Sequence, residues 1–294
     1  MPQKNCWEDK NMPMEDFIEL SKTCYVRPDY AESFRKADLA SIEAVFEFSG
    51  DENLVKENLA SHRSRIKFTL PGFDKALYLK RYNSVPALKQ LKNWLCHRRR
   101  SSTAAFDYMP GKQLSRYGIS MPKTVAFGDQ WAGLFEKRSF MVMEEIEGHS
   151  LEEKLPACFY DNKSATNHRK RCEFINKLAD FVKAFHDTGF RHRDLYLCHI
   201  FFSGGDQFHL IDMHRAFKPQ MLAERYRLKD LTQLHYSAPG SVVSLADRLR
   251  FYLRYCGKSK LDAEDRRFLR KLKSKAWRMA LHDMKHSRPV PFAM

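Results

Sequence analysis

The chain has 294 residues, 43% of them hydrophobic, which is enough to bury a sizeable core and excludes global disorder. Lys and Arg number 51 against 36 Asp and Glu, a formal charge of +15. That field favours anionic partners: nucleotides, nucleic acid, anionic lipid headgroups or an acidic protein. The seven cysteines (Cys6, Cys24, Cys96, Cys158, Cys172, Cys198 and Cys256) form no C-x-x-C pair, so neither a disulfide framework nor a zinc knuckle is indicated. The N-terminus carries charges where a signal peptide needs an apolar core. No apolar run approaches the roughly 20 residues of a membrane-spanning helix. The expected setting is the cytoplasm, with any membrane met from one side.

Residues 1–40 are polar and read as an N-terminal extension, helical or irregular. Residues 41–82 read as strands. The segment 44–48 (AVFEF) alternates apolar and polar positions, and 65–70 and 76–82 follow, split by Pro71-Gly72. Residues 86–117 are basic and helical, interrupted after Arg98–Arg100 and at Pro110-Gly111. Two more strands are expected at 123–127 and 139–146, before a turn at Glu147-Gly148. The clearest helix lies at 169–188, where Phe174, Leu178, Phe181, Val182 and Phe185 form one apolar stripe and Gly189 supplies a left-handed end. Two short apolar runs around Gly204-Gly205-Asp206 read as a hairpin. Residues 222–285 are helix-rich. Strands first and helices after, with one embedded hairpin, is an α+β pattern.

His192-Arg193-Asp194 directly follows the long helix. Asp212 ends an apolar strand 18 residues after Asp194, and Lys80 ends another one upstream. Phosphoryl transfer from a nucleotide needs a lysine on the phosphates, a carboxylate on magnesium and a second carboxylate for the acceptor hydroxyl proton. Each of the three residues alone has a bland reading, as a solvated lysine or a turn carboxylate. Together they stand in the required order on the required kinds of element.

These parts resemble the protein-kinase fold: a two-lobed molecule, with an antiparallel sheet lobe at 41–146 and a helical lobe at 147–294. One departure is informative. The position five after Asp194, Asn in the kinase loop, is His199. The segments at 192–202 and 210–216, with 229–238 and 248–254, are similar to the Kdo/WaaP family of lipopolysaccharide core kinases, in which a histidine commonly stands there.

The resemblance implies ATP and Mg2+ as cofactors, with Asp194 as catalytic base beside His192 and Arg193. It implies Asp212 as the metal carboxylate with His199 as a weaker ligand or a hydrogen-bonding group, and Lys80 on the phosphates. Met143 would sit beside the adenine, and the backbone of Glu144, Glu145 and Ile146 would meet it. Asp107 is the candidate acidic partner of Lys80. Asp230 would anchor the loop from below.

The acceptor implied is a heptose or Kdo hydroxyl of a lipid A-linked core oligosaccharide. Reaction would then take place peripherally on the cytoplasmic side of the inner membrane. No glycine-rich loop precedes Lys80, so a phosphate-covering turn would have to fall within 56–64.

The residues also leave room for different readings. The same fold could phosphorylate a protein or a small molecule, although no A-P-E motif follows Asp212. It could also be a non-catalytic binding module. Cys198, His199, His209, Asp212 and His214 could form a metal site, but without a recognised zinc spacing. The basic stretch 258–288, with eleven Lys/Arg against four Asp/Glu, lacks the interleaved aromatics of a nucleic-acid surface, so no nucleic-acid partner is expected. It fits an anionic membrane surface, with Trp277 and Met279 either dipping into lipid or packed in the core. An acidic protein such as an acyl carrier protein is a further candidate partner.

Overall fold

The computed structural model describes residues 16–53, 62–160, 164–203 and 207–291. These group into two compact units, one of residues up to 112 with 122–145, the other of 113–121 with 146 onward.

The first unit is built on a seven-stranded antiparallel sheet. Its strands are β1 (Ile18–Ser21), β2 (Cys24–Val26), β3 (Glu52–Asn53), β4 (Arg63–Phe68), β5 (Leu77–Asn83), β6 (Thr124–Ala132) and β7 (Phe135–Glu144), in the order β1-β2-β6-β7-β5-β4-β3. Alternation in β5 sends Leu77 and Leu79 to one face, with Ile66, Phe140 and Val142. Tyr78, Lys80 and Tyr82 point to the other, with Met141 and Met143. Helices α1 (Ala31–Lys36) and α2 (Ile42–Glu47) cover the first face through Phe34, Ile42 and Val45. Helix α4 (Thr103–Ser115) covers the second through Ala104, Ala105 and Tyr108, after α3 (Ala87–His97).

Two sequence expectations are corrected here. Residues 44–47 are helical rather than part of a strand, and Phe48 caps the helix end. Ser41 caps α2 by accepting from the Ala44 amide, and Ile42 and Val45 are buried at i, i+3 spacing, so capping and packing override the short alternation. Residues 18–36 are not an extension outside the fold, because β1 and β2 form one side of the sheet. The expected phosphate-covering turn falls largely on residues outside the described ones, as does the Gly204-Gly205-Asp206 turn.

The second unit holds a three-stranded sheet of β8 (His149–Ser150), β9 (Ile200–Ser203) and β10 (Gln207–Leu210), with helices α5 (Ala165–Asp187), α6 (Ala223–Ser237), α7 (Leu245–Cys256) and α8 (Ala263–Lys285). Helix α5 starts earlier than its apolar stripe, because Ser164 caps it. Its buried face (Phe174, Leu178, Val182, Phe185) packs with Leu195 and Leu197 of the following loop, with Ile200 of β9 and with Leu231 and Leu234 of α6. Each such side chain contributes about 1.5–3 kcal/mol on burial. The Arg171 guanidinium in α5 is buried against Asp247, which also closes a capping box with Ser244 at the start of α7.

Gly148 ties β8 to β9. Its φ is +99°, and a Cβ there would lie 2.2 Å from the Phe202 carbonyl oxygen. Gly148→Ala is therefore expected to cost about 2 kcal/mol or more, read as a lowered urea midpoint at unchanged m-value. An unchanged midpoint would contradict this role for the turn.

Candidate functional site

The long helix α5 delivers the chain into a turn that local propensity opposes. Arg193 has φ 69° and Asp212 has φ 60°, left-handed values that non-glycine residues adopt only when their surroundings impose them. At the first position the imposition comes from α6. Asp230, 0% exposed, accepts from the His192 amide through Oδ2 (2.8 Å) and from the Arg193 amide through Oδ1 (2.7 Å). Behind it, His186 places Nε2 3.3 Å from the same Oδ2 and Nδ1 2.8 Å from the Tyr255 hydroxyl. Lys229, the preceding residue on α6, donates to the Arg193 carbonyl. Two consecutive α6 residues thus hold both donors and an acceptor of the turn.

His192 joins this turn to the strand end that carries Asp212. Its side chain is fully buried and its Nε2 donates to the Ile211 carbonyl (3.0 Å), while the Ile211 amide donates to the His199 carbonyl (3.1 Å). The residue before Asp212 is therefore fastened to the loop through both backbone groups. Burial, followed by the neighbouring His199, pushes the His192 pKa down to about 4, which keeps the ring neutral. The motif places His192 and Arg193 among the expected catalytic groups. His192 is fully buried, and the Arg193 guanidinium lies over the rings of Phe217 (5.2 Å) and Tyr226 (6.0 Å).

Asp194 faces a set of cations and donors that no motif singles out. Arg215 Nη1 lies 2.9 Å from both carboxylate oxygens, Gln233 Nε2 3.5 Å from Oδ1, and Lys229 Nζ 3.8 Å from Oδ1. Burial, and then the charge of Arg215, push the Lys229 pKa down to about 8. Lys229 and Gln233 stand a helical turn apart on α6, inside the segment 229–238 that carries the family resemblance but assigns neither of them a role. Arg215 comes from the short 3₁₀ turn Met213–Arg215 directly after Asp212.

Asp212 Oδ1 is 2.8 Å from His214 Nδ1, and its Oδ2 is 3.9 Å from His199 Nε2. His199 Nδ1 donates to the Asp194 carbonyl (2.7 Å), so Nε2 is the nitrogen that faces the Asp212 carboxylate. An imidazole nitrogen and a carboxylate oxygen so placed suit a cation. Magnesium takes one or two protein carboxylates and completes its shell with phosphate oxygens and water, so Asp212 with an accessory His199 fits that ion. Among the described residues no group of three or more His, Cys, Asp or Glu could hold a metal ion by itself. His209 is used structurally, its nitrogens 2.7 Å from Ser120 Oγ and 2.9 Å from Ser203 Oγ.

In the first unit, Lys80 Nζ meets Asp107 Oδ2 at 2.7 Å, and Tyr82 donates to the same oxygen (3.1 Å). Asp107 reaches that point because the start of α4 is pinned to β7. Glu136 accepts from the Thr103 amide (2.8 Å) and hydroxyl (2.7 Å), and Ser139 accepts from the Ala104 amide (3.1 Å). Met143 is buried on the Lys80 face of the sheet. Of the three residues expected to meet adenine, Glu144 donates its amide to the Lys123 carbonyl and Glu145 donates its own to the Ala76 carbonyl, both at 2.9 Å. Those two donors are already engaged in the first unit; Ile146 begins the second.

The low pKa of His192 has a consequence for stability. Between about pH 6.5 and 4 the unfolded chain binds a proton there that the folded chain refuses, so this histidine's contribution is lost as pH falls through that window. His235, held down to about 4 by burial and Arg248, adds to the same acid limb. His192→Gln is expected to flatten the slope of unfolding free energy against pH over that range by up to one proton. An unchanged slope would show that His192 titrates normally when folded.

Comparison with known proteins agrees with this arrangement. The model of the lipopolysaccharide kinase (Kdo/WaaP) family matches residues 73–255, more than half of the chain. The lipopolysaccharide core heptose(I) kinase WaaP of Escherichia coli K12 is 28% identical over 203 residues, 66% of this chain and 75% of that protein. WaaP of Pseudomonas aeruginosa is 28% identical over 151 residues, 49% of this chain and 56% of that one. A solved structure of WaaP in complex with acyl carrier protein superposes with a TM-score of 0.62 at 19% identity, covering 87% of this chain and 98% of that one, which identifies the fold as kinase-like. The antiparallel-sheet unit and the helical unit are therefore those of a kinase-like fold, and the chain belongs to the lipopolysaccharide kinase (Kdo/WaaP) family.

Proposed function

We propose that the protein transfers the γ-phosphate of ATP to a sugar hydroxyl, a heptose being the first candidate, in the inner core of a lipid A-linked oligosaccharide. The observation that carries this reading is the link from the Asp194 turn to the strand end bearing Asp212 through Ile211, which supports a proton-accepting role for Asp194 and a metal-binding role for Asp212. The named heptose kinases among its relatives support the choice of acceptor.

Asp194 aligns the acceptor hydroxyl and takes its proton as the oxygen–phosphorus bond forms and the bond to the β-phosphate bridge oxygen breaks. Arg215 and Lys229 hold that carboxylate in place. Asp212, with His199 as an accessory group, would hold Mg2+, which when bound neutralises phosphate charge. Lys80, oriented by Asp107 and Tyr82, holds the nucleotide phosphates. Ile146 is assigned the backbone amide toward adenine, because those of Glu144 and Glu145 are engaged.

The lipid-linked acceptor implies action at a membrane surface. An acidic acyl carrier protein is the proposed protein partner. A chain of net charge +15 suits one, and a neighbouring WaaP structure contains one.

The test is transfer of labelled γ-phosphate to dephosphorylated core lipopolysaccharide. Asp194→Asn and Asp212→Asn are each expected to lower kcat by about 10²-fold or more. Lys80→Met should weaken ATP use. Label appearing only on protein, or equal rates in wild type and Asp194→Asn, would overturn the assignment.

A further inference from the structure

We infer that the outer face of α8 is a docking surface for an anionic phospholipid membrane. Helix α8 runs over 23 residues, Ala263–Lys285. Its inner side is accounted for: Leu272, Ala276 and Ala280 are buried, and Met279 packs with Ala276, Ala280 and Tyr236. Of the two residues that could dip into lipid or pack in the core, Met279 is thus a core residue.

The outer side is different. Trp277 is 46% exposed, Leu281 46% and Met284 52%, at i, i+4, i+7 spacing. Continued toward the N-terminus, the same stripe passes through Lys273, Arg270 and Arg266, all exposed. Arg267, Arg278 and Lys285 flank it and are exposed too.

The carboxylates of α8 turn elsewhere. Asp265 is buried and accepts from Tyr252 (3.0 Å) and Lys258 (2.8 Å), and Asp283 accepts from Tyr236 (2.7 Å). Glu264, in the first turn, is exposed but lies well round the helix from the stripe. The result is an acid-free face about 27 Å long, cationic in its first half and apolar with a tryptophan in its second.

Charge decides what occupies this face. A second copy of a chain carrying +15 would bring like charge against it, whereas an anionic phospholipid surface meets both halves at once, headgroups the first and acyl chains the second. Lys and Arg would lie at the phosphates, and Trp277, Leu281 and Met284 at the boundary with the acyl chains. No helix among the described residues is long and apolar enough to cross a membrane, so attachment through this face would be reversible. The inference deepens the proposed function by saying how a lipid-linked acceptor is reached, but it concerns a surface outside the catalytic residues.

The experiment measures binding of the full-length protein to vesicles of phosphatidylethanolamine alone or mixed with phosphatidylglycerol, by sedimentation and by tryptophan emission. Expected are binding to the mixed vesicles only, weakening with salt, and an emission blue shift that disappears in Trp277→Phe. Leu281→Glu with Met284→Glu should lower the affinity at least tenfold. Replacing Arg266, Arg270 and Lys273 by Gln should lower it about a hundredfold, at roughly fivefold per charge.

No binding to either vesicle, or binding undiminished in these variants, would overturn the inference. So would self-association in solution that the Leu281→Glu, Met284→Glu variant abolishes, because the face would then be an assembly surface. Phosphorylation of a delipidated core oligosaccharide should be the same in wild type and variants. If wild type fails on that acceptor yet binds vesicles through α8, the functional reading falls and the surface stands.

Discussion

Three hydrogen-bonding groups, the buried amide of His192 and the part-buried amide and carbonyl of Arg193, have to be satisfied where the chain leaves α5, at a backbone angle that no non-glycine residue prefers. Lys229 and Asp230 satisfy all three. An unmet buried amide costs about 1–3 kcal/mol, and a left-handed residue about as much again, so without this clamp the turn would relax to ordinary geometry. Asp194 would then point elsewhere. The clamp is itself braced, since Asp230 rests against His186, which rests against Tyr255 of α7. Helices α5, α6 and α7 converge on one carboxylate, and the core formed by Phe185, Leu195 and Leu231 keeps that carboxylate dry and its bonds strong.

From that fixed point the rest of the helical unit's chemistry follows by short steps. His192 carries the constraint to Ile211 and so to Asp212. His199 reaches from the Asp194 carbonyl toward the Asp212 carboxylate. Arg215, three residues beyond Asp212, returns to Asp194. The two carboxylates are therefore linked by a closed circuit of hydrogen bonds and one ion pair, rather than by separate supports. In the sheet unit the same logic recurs on a smaller scale. Glu136 and Ser139 pin the start of α4, and α4 brings Asp107 to Lys80.

Much of this is legible in the sequence, for identifiable reasons. Lys80, Asp194 and Asp212 are read from motifs because phosphoryl transfer needs those groups in that order, although Lys80 lies within β5 rather than at its end, and Asp107 because an acid is required near Lys80. The long helix is visible because an apolar stripe at period 3.6 matches one helix face and does not match the period of a strand. The failures also have causes. Residues 44–48 alternate for too short a stretch to outweigh the Ser41 cap. Residues 18–26 are short strands whose pairing with β6 is non-local and leaves no periodic trace. Lys229, Gln233 and Arg215 lie in segments that carry the family resemblance, but no local pattern records that they meet Asp194 from distant positions. The engaged amides of Glu144 and Glu145 depend on the pairing register, which sequence alone does not state.

If the Asp230 clamp serves to aim Asp194, the two residues must be coupled in catalysis, and a double-mutant cycle on the rate of phosphoryl transfer at saturating ATP and acceptor tests this most directly. Asp230→Asn alone should slow transfer strongly. In an Asp194→Asn background the same change should have little further effect, because there is no longer a base to aim. If the two losses simply add, Asp230 supports the fold in general and the aiming of Asp194 has another cause.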